Sequence, residues 1–315
     1  LFLLIGILYM YLKTSNGSFS LVAFYNVKLS DVEQYWMFLL FFIAFAIKMP
    51  LFPLHTWQPE AYEQAPTPVT MVLSAVMVKM GLFGLLRWLL PLFPLAVKQF
   101  NTAIIVVIVV GMVYASLVAI YQDNIKKLIA YSSIAHIGLM AAGAFTLKAV
   151  ALNGAVLQMF SHGINIMALW IVADLIETQT GITKISALGG IAKKAPKLTM
   201  FLVIAAFANI ALPLTNAFVG EFMIFNGLYQ FKPWIAAFAG LSIIFSAVYT
   251  LNMIKHVFYG EVVAAVEGYL DINKTQAMVL TVITGLILFV GIYPDPFFKM
   301  MYETVGLIVN RYVTI

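Results

Sequence analysis

Two lysines interrupt apolar runs in this chain, and the chemistry open to them sets the first question. Lys48 closes YWMFLLFFIAFAIK just before Pro50 and Pro53, and Lys79 sits inside VTMVLSAVMVKMGLFGLL. A charge at bilayer depth costs about 2.5–3.5 kcal/mol on insertion scales, so each marks a functional site by default. A lysine stripped of water favours its neutral form, and a nearby carboxylate favours the charged one. A side chain that changes protonation when its partner moves is what a proton relay needs. The plainer reading is a lysine snorkelling from a helix end. Apolar or small residues on both sides of Lys79 argue against it there, whereas the proline break beside Lys48 gives water a way in.

Three further ionisable groups lie in apolar settings: Glu221 in FVGEF, His136 in SSIAHIG and His162 in MFSHGIN. Glu221 follows Pro213 by eight residues, so the chain holds two proline-broken spans, each with an ionisable group near the break. Broken helices in corresponding positions of two halves point to a transporter's site. The plainer readings are an ion pair tying two helices together for Glu221 and hydrogen-bonded packing for each histidine. Two histidines without an adjacent carboxylate make a weak metal site, so no metal is expected. His55 and Trp57, at a span end, suit an aromatic belt, and Arg87 suits a headgroup-level helix cap. No Gly-rich phosphate loop, catalytic triad or dinucleotide fingerprint is present, which places any energy-yielding chemistry elsewhere.

These residues need membrane helices to position them, and composition supplies that setting. Of 315 residues 63% are hydrophobic and 10% charged, with a mean hydropathy of +0.98. A soluble domain carries roughly 25% charged residues, so this is a polytopic membrane protein. The net charge of +5 belongs to loop lysines rather than to a nucleic-acid surface, since no basic run with interleaved aromatics occurs. The chain has no cysteine, which excludes disulfides, thiolate metal sites and iron–sulfur ligation.

A helix needs about 20 apolar residues to cross the hydrocarbon core. On that rule a single transmembrane domain, 1–315, holds nine spans: 1–12, 36–56, 67–91, 101–121, 128–147, 150–177, 198–229, 234–258 and 276–298. The 198–229 segment is too long for one straight crossing, and Pro213 interrupts it. The tail after 299 reads as amphipathic or interfacial. The chain opens LFLLIGILYMYL without an initiator Met or a basic leader, which suggests the end of a membrane helix and a missing N-terminal part. Lysine clusters at 126–127 and 193–197 fall on one face, which the positive-inside rule assigns to the cytoplasm.

KMPLFPLHTWQPEAYEQAPTPVT, VKMGLFGLLR, YSSIAHIG, MFSHGINIMALW and FVGEF together resemble the antiporter-like, proton-pumping membrane subunits of respiratory complex I (NADH–quinone oxidoreductase), from about residue 36 to 258. Within that family the M branch fits best, because it carries glutamate in a VGEF setting where the L and N branches carry lysine. The resemblance implies an all-α, antiporter-like inverted-repeat fold with two proline-broken helices, the nine spans reading as helices six to fourteen. It also implies proton transfer by Lys48, Lys79 and Glu221, a relay through His136 and His162, and helix breaks at Pro50, Pro53 and Pro213. A fifth-helix glutamate that would pair with Lys48 is not in this sequence.

The resemblance further implies no redox cofactor in this chain, with NADH, FMN, Fe–S clusters and quinone held by partner subunits. Flanking L- and N-type subunits would be its partners, in the cell's inner (cytoplasmic) membrane. The pattern departs from the family at Gln58, Glu60 and Tyr62, where LPDAH is usual, at Phe83 for a tyrosine, and at Ala211 and Leu214 for glycines around the second break. The alternatives are a subunit of a multisubunit cation/proton antiporter or of a membrane-bound hydrogenase. An inert membrane scaffold would explain the hydrophobicity but not three charges at matched positions.

Overall fold

The computed structural model describes residues 1–313, and all regular elements among them are helices. In chain order these are α1 (Phe2–Lys13), α2 (Asp31–Lys48), α3 (Trp57–Gln64), α4 (Thr67–Leu92), α5 (Pro94–Ile120), α6 (Ile125–Phe145), α7 (Ala149–Thr180), α8 (Pro196–Asn209), α9 (Asn216–Phe231), α10 (Pro233–Phe258), α11 (Lys274–Ile292) and α12 (Asp295–Val313). Very short turns of helix connect some of them.

Local chemistry sets where they begin. Ser30 and Glu33 form a reciprocal capping box at the start of α2, and Asn273 and Gln276 form another at α11. Asn124 accepts from the Lys126 and Lys127 amides at the start of α6. Prolines occupy the first position of α5, α8 and α10, where the missing N–H costs nothing.

Six helices (α4, α5, α6, α7, α10 and α11) are long and apolar enough to cross a membrane by length and composition. The three other expected spans look different. The first is the 12-residue α1. The second, expected over 36–56, begins at Asp31 and stops at Lys48, because the chain turns at Met49 and resumes as a separate helix only at Trp57. The third, 198–229, divides into α8 and α9 around residues 210–215. Beyond 299 the tail continues α12, which is amphipathic.

α6 is buried around nearly its whole circumference and α7 over most of its length, as expected of helices apolar on all sides. α10 and α11 turn large apolar side chains such as Phe238, Ile244, Met278 and Phe289 outward. α7 and α9 meet through small residues. A Cβ on Gly154 would lie 2.7 Å from the Gly220 carbonyl, and one on Gly227 would collide with Ala151. Close approach at small residues is how membrane helices gain packing energy without a hydrophobic drive between them. It also sets Gln158 against the Glu221 turn.

Candidate functional site

α4 is not a regular α-helix. Five-residue π segments, Leu73–Met77 and Leu85–Leu89, bracket the turn that carries Lys79. Each closes with a wide backbone bond, Val78 N to Leu73 O and Leu90 N to Leu85 O. Such insertions change which way the following side chains point, and they concentrate at functional sites. The first of them immediately precedes Lys79, whose side chain is buried at 7% exposure. Its ammonium donates to the Ser74 carbonyl at 2.7 Å and lies 2.7 Å from His162 Nδ1 on α7.

From His162 the chain of ionisable groups continues without leaving the interior. The His162 and His136 rings are 5.4 Å apart, centroid to centroid. His136 Nδ1 lies 2.9 Å from Glu221 Oε1 on α9, and Gln158 Nε2 donates to the same oxygen at 2.9 Å. The Nε2 atoms of both histidines are buried and have no hydrogen-bond partner among the described residues. Each histidine is thus engaged at Nδ1, by Lys79 in one case and Glu221 in the other, and each leaves Nε2 without a protein partner among the described residues. Four residues from four helices, α4, α7, α6 and α9, form one line of ionisable groups.

The second helix break is held open by side chains of the helices beside it. Asn165 donates to the Ala208 carbonyl at 3.1 Å, and Asn216 and Ser161 exchange side chain-to-carbonyl bonds at 3.3 and 3.2 Å. Asn209 and Tyr249 both donate to the Ser132 hydroxyl, at 3.1 and 3.0 Å. The Ala208 carbonyl beside the break therefore has a side-chain partner from α7, the kind of satisfaction irregular backbone needs at membrane depth. Ala211 and Leu214, standing where glycines were expected from the family pattern, adopt left-handed φ of 57° and 75°. Pro213 lies between them.

Lys48 is not on the line. It is half-buried at the end of α2, and no hydrogen bond or ion pair to its ammonium occurs among the described residues. The first break, around Pro50 and Pro53, is closed by Trp57, whose indole donates to the Ile47 carbonyl at 3.0 Å. A Cβ on Gly81 would stand 2.8 Å from Met49 Cβ, so α4 packs tightly on this break, two residues past Lys79. The aromatic-belt reading of His55 is corrected: it is 3% exposed and packs among Phe52, Tyr114 and Tyr131, because the chain folds back inward at the break. Arg87 is exposed and is the basic residue in the last turn of the second π segment, near the end of α4.

Sequence reasoning missed the polar residues that connect this line to one face. Lys127 pairs with Glu60 at 2.9 Å and Glu63 at 3.0 Å, and Lys126 pairs with Glu177 at 2.6 Å. Beneath them Gln58, the Tyr62 hydroxyl, the Ser74 hydroxyl and the Trp170 indole are buried with no protein hydrogen bond among the described residues. Buried polar atoms of this kind are the natural partners of internal water. Gln158 was also missed, although a signal existed: Gln158, Ser161, His162 and Asn165 recur at i, i+3, i+4 and i+7, a polar stripe on one face of α7. Among the described residues no three His, Asp or Glu side chains gather as a metal site.

Comparison with known proteins bears on this arrangement. Residues 1–246 match a family described as NADH:quinone oxidoreductase/Mrp antiporter, TM. NADH-quinone oxidoreductase subunit M of Rhodobacter capsulatus is 37% identical over 280 residues, which cover 89% of this chain and 55% of that one. A chain of respiratory complex I from Thermus thermophilus with bound NADH superposes with a TM-score of 0.93 at 28% identity, over 99% of this chain and 66% of its own. A chain of the Mrp complex from Dietzia sp. superposes at 0.86 with 18% identity, over 99% of this chain and 65% of its own, a likeness of fold alone. This chain therefore spans about half to two-thirds of the length of the proteins it matches.

Proposed function

The chain belongs to the NADH:quinone oxidoreductase/Mrp antiporter transmembrane family, and from that premise we propose that it moves protons as an M-type membrane subunit of an NADH–quinone oxidoreductase. The observation that carries the proposal is the buried line Lys79–His162–His136–Glu221.

A proton reaches Lys79 from the face bearing Glu60, Glu63 and Lys127, by way of the buried polar groups of Gln58, Tyr62 and Ser74. Lys79 passes a proton to His162 at Nδ1, and His162 releases its other proton at Nε2. One water bridges the two rings. His136 accepts at Nε2 and releases at Nδ1 to the Glu221 carboxylate, so each imidazole takes a proton on one side and loses one on the other. Gln158, donating to Glu221 Oε1, fixes the carboxylate that receives it. Lys48, packed through Met49 against the Lys79 helix, links the relay to neighbouring subunits and so to distant quinone reduction.

On this reading the chain holds no redox centre; NADH, FMN, iron–sulfur clusters and quinone are bound by partner subunits. L- and N-type subunits flank it in the inner (cytoplasmic) membrane. The family also spans cation/proton antiporters, so the experiment includes a sodium arm. Glu221→Gln in the assembled complex is expected to cut proton pumping and quinone reductase activity together, by about 10²–10⁴-fold if Glu221 is an obligatory proton acceptor. Normal activity with an intact complex would remove Glu221 from the path. Transport that follows sodium rather than pH would favour the antiporter reading.

A further inference from the structure

Beyond Glu221 lies a small space that the relay does not use. A cavity of about 10 Å³ sits between α6, α9 and α10, lined by His136, Glu221, Ser242, Ser246 and Tyr249 among apolar side chains. All five residues are buried. The space has room for one water or one bare ion. Ser242, Ser246 and Tyr249 recur at i, i+4 and i+7 and so share one face of α10.

The hydrogen bonds around this lining run one way. Ser242 donates its hydroxyl to the Ala239 carbonyl at 2.7 Å, and Ser246 donates to the Ile243 carbonyl at 2.8 Å. Tyr249 gives its proton to Ser132 at 3.0 Å. A hydroxyl has one proton to give and two lone pairs to offer, so all three can present only lone pairs to the cavity. Gln158 and His136 both engage Glu221 at Oε1, and Oε2 has no hydrogen-bond partner among the described residues. Three hydroxyl oxygens and a carboxylate with a free oxygen therefore line one water-sized space, and none has a proton to give. A water there would donate twice and leave its own lone pairs without donors. A small cation takes lone pairs alone and offsets a carboxylate that is costly at bilayer depth. Oxygen-only lining suits a hard ion rather than a transition metal. Serines bonded back to their own helix commonly serve close helix packing. A space left between them and Glu221 is what packing would close.

We propose that this cavity binds one dehydrated sodium ion, held by the Glu221 carboxylate and the oxygens of Ser242, Ser246 and Tyr249. Bound there, sodium takes the place of the proton on Glu221 and stops the line at its last member. The site stands on the cavity, whereas this consequence rests on the proton-accepting role proposed for Glu221.

The test measures sodium-22 bound to the purified complex by equilibrium dialysis, with choline chloride holding the ionic strength. Both serine hydroxyls bond only to carbonyls of their own helix, so the Ser242→Ala/Ser246→Ala double variant keeps the bonds between helices. The wild-type complex is expected to hold one more sodium than this variant, and one more than Glu221→Gln. Its proton pumping in vesicles is expected to slow several-fold in sodium relative to choline. Equal sodium counts in the three proteins would mean that the space holds only water; the proposal then fails and the relay is untouched. A count lowered by Glu221→Gln but not by the serine variant places the ion outside this cavity and also overturns it. Sodium bound as expected but without effect on pumping would keep the site and take Glu221 off the proton path.

Discussion

Glu221 Oε1 receives Gln158 Nε2 and faces His136 Nδ1, both at 2.9 Å. A carboxylate held this way has one defined orientation toward the histidine, and proton transfer depends steeply on such alignment. Gln158→Leu keeps the volume and removes the donor. We expect the complex to assemble and to pump several-fold more slowly, a milder loss than that of Glu221→Gln because the acceptor itself survives. Equal pumping rates for wild type and Gln158→Leu, measured in the same vesicles, would reduce the contact to packing. At this scale the chemistry rests on ordinary side chains whose positions, rather than types, are unusual.

Elements supply those positions through their irregularities. The π segment Leu73–Met77 leads directly into Lys79, whose ammonium reaches both the Ser74 carbonyl and His162. The break between α8 and α9 is built at a cost: Ala211 and Leu214 hold left-handed conformations that disfavour L-residues by roughly 1–2 kcal/mol each. Leu214 is 68% exposed, so its side chain contributes little burial in return. Leu214→Gly removes the strain, part of which is offset by glycine's greater freedom in the unfolded chain. A gain of about 0.5–1 kcal/mol is expected, read as a higher melting temperature of the purified complex. A lower melting temperature would show that the leucine packs against something that outweighs the strain. The turnover of the same variant reports whether a looser break alters pumping.

Over the whole molecule, charge separates by face. One face ties its loops together through Lys127 with Glu60 and Glu63, Lys126 with Glu177, Asp123 with Ser186, and Asp271 with the amides of Lys197 and Leu198. The opposite face holds Lys13 against Glu33 and a cavity lined by Arg87 and Arg311. From its lysine clusters we propose that the first of these faces is cytoplasmic. Because the chain has no cysteine, single substitutions read its topology directly. Lys194→Cys and Lys148→Cys lie on opposite faces, both exposed. A membrane-impermeant maleimide is expected to label the first only in inside-out vesicles and the second only in right-side-out ones. The reverse pattern would invert the orientation and, with it, the direction of the proposed relay.

The sequence by itself determined the class of fold, the two proline breaks and all four ionisable groups that form the line. Each is a local property: apolar runs of bilayer length, a ring without an N–H, a charge where hydrocarbon should be. The resemblance of its separated motifs also determined the family. Tertiary structure alone decided the order Lys79–His162–His136–Glu221, because residues 83 and 85 positions apart in the chain meet only when α4, α7, α6 and α9 pack. It decided that Lys48 stands apart, that His55 turns inward, and that Gln58, Tyr62, Ser74 and Gln158 are polar groups of the interior. A glutamine or a serine carries no charge whose burial would betray it in the sequence. Its role appears only once neighbouring helices exclude the lipid and leave its hydrogen bonds to be made inside the protein.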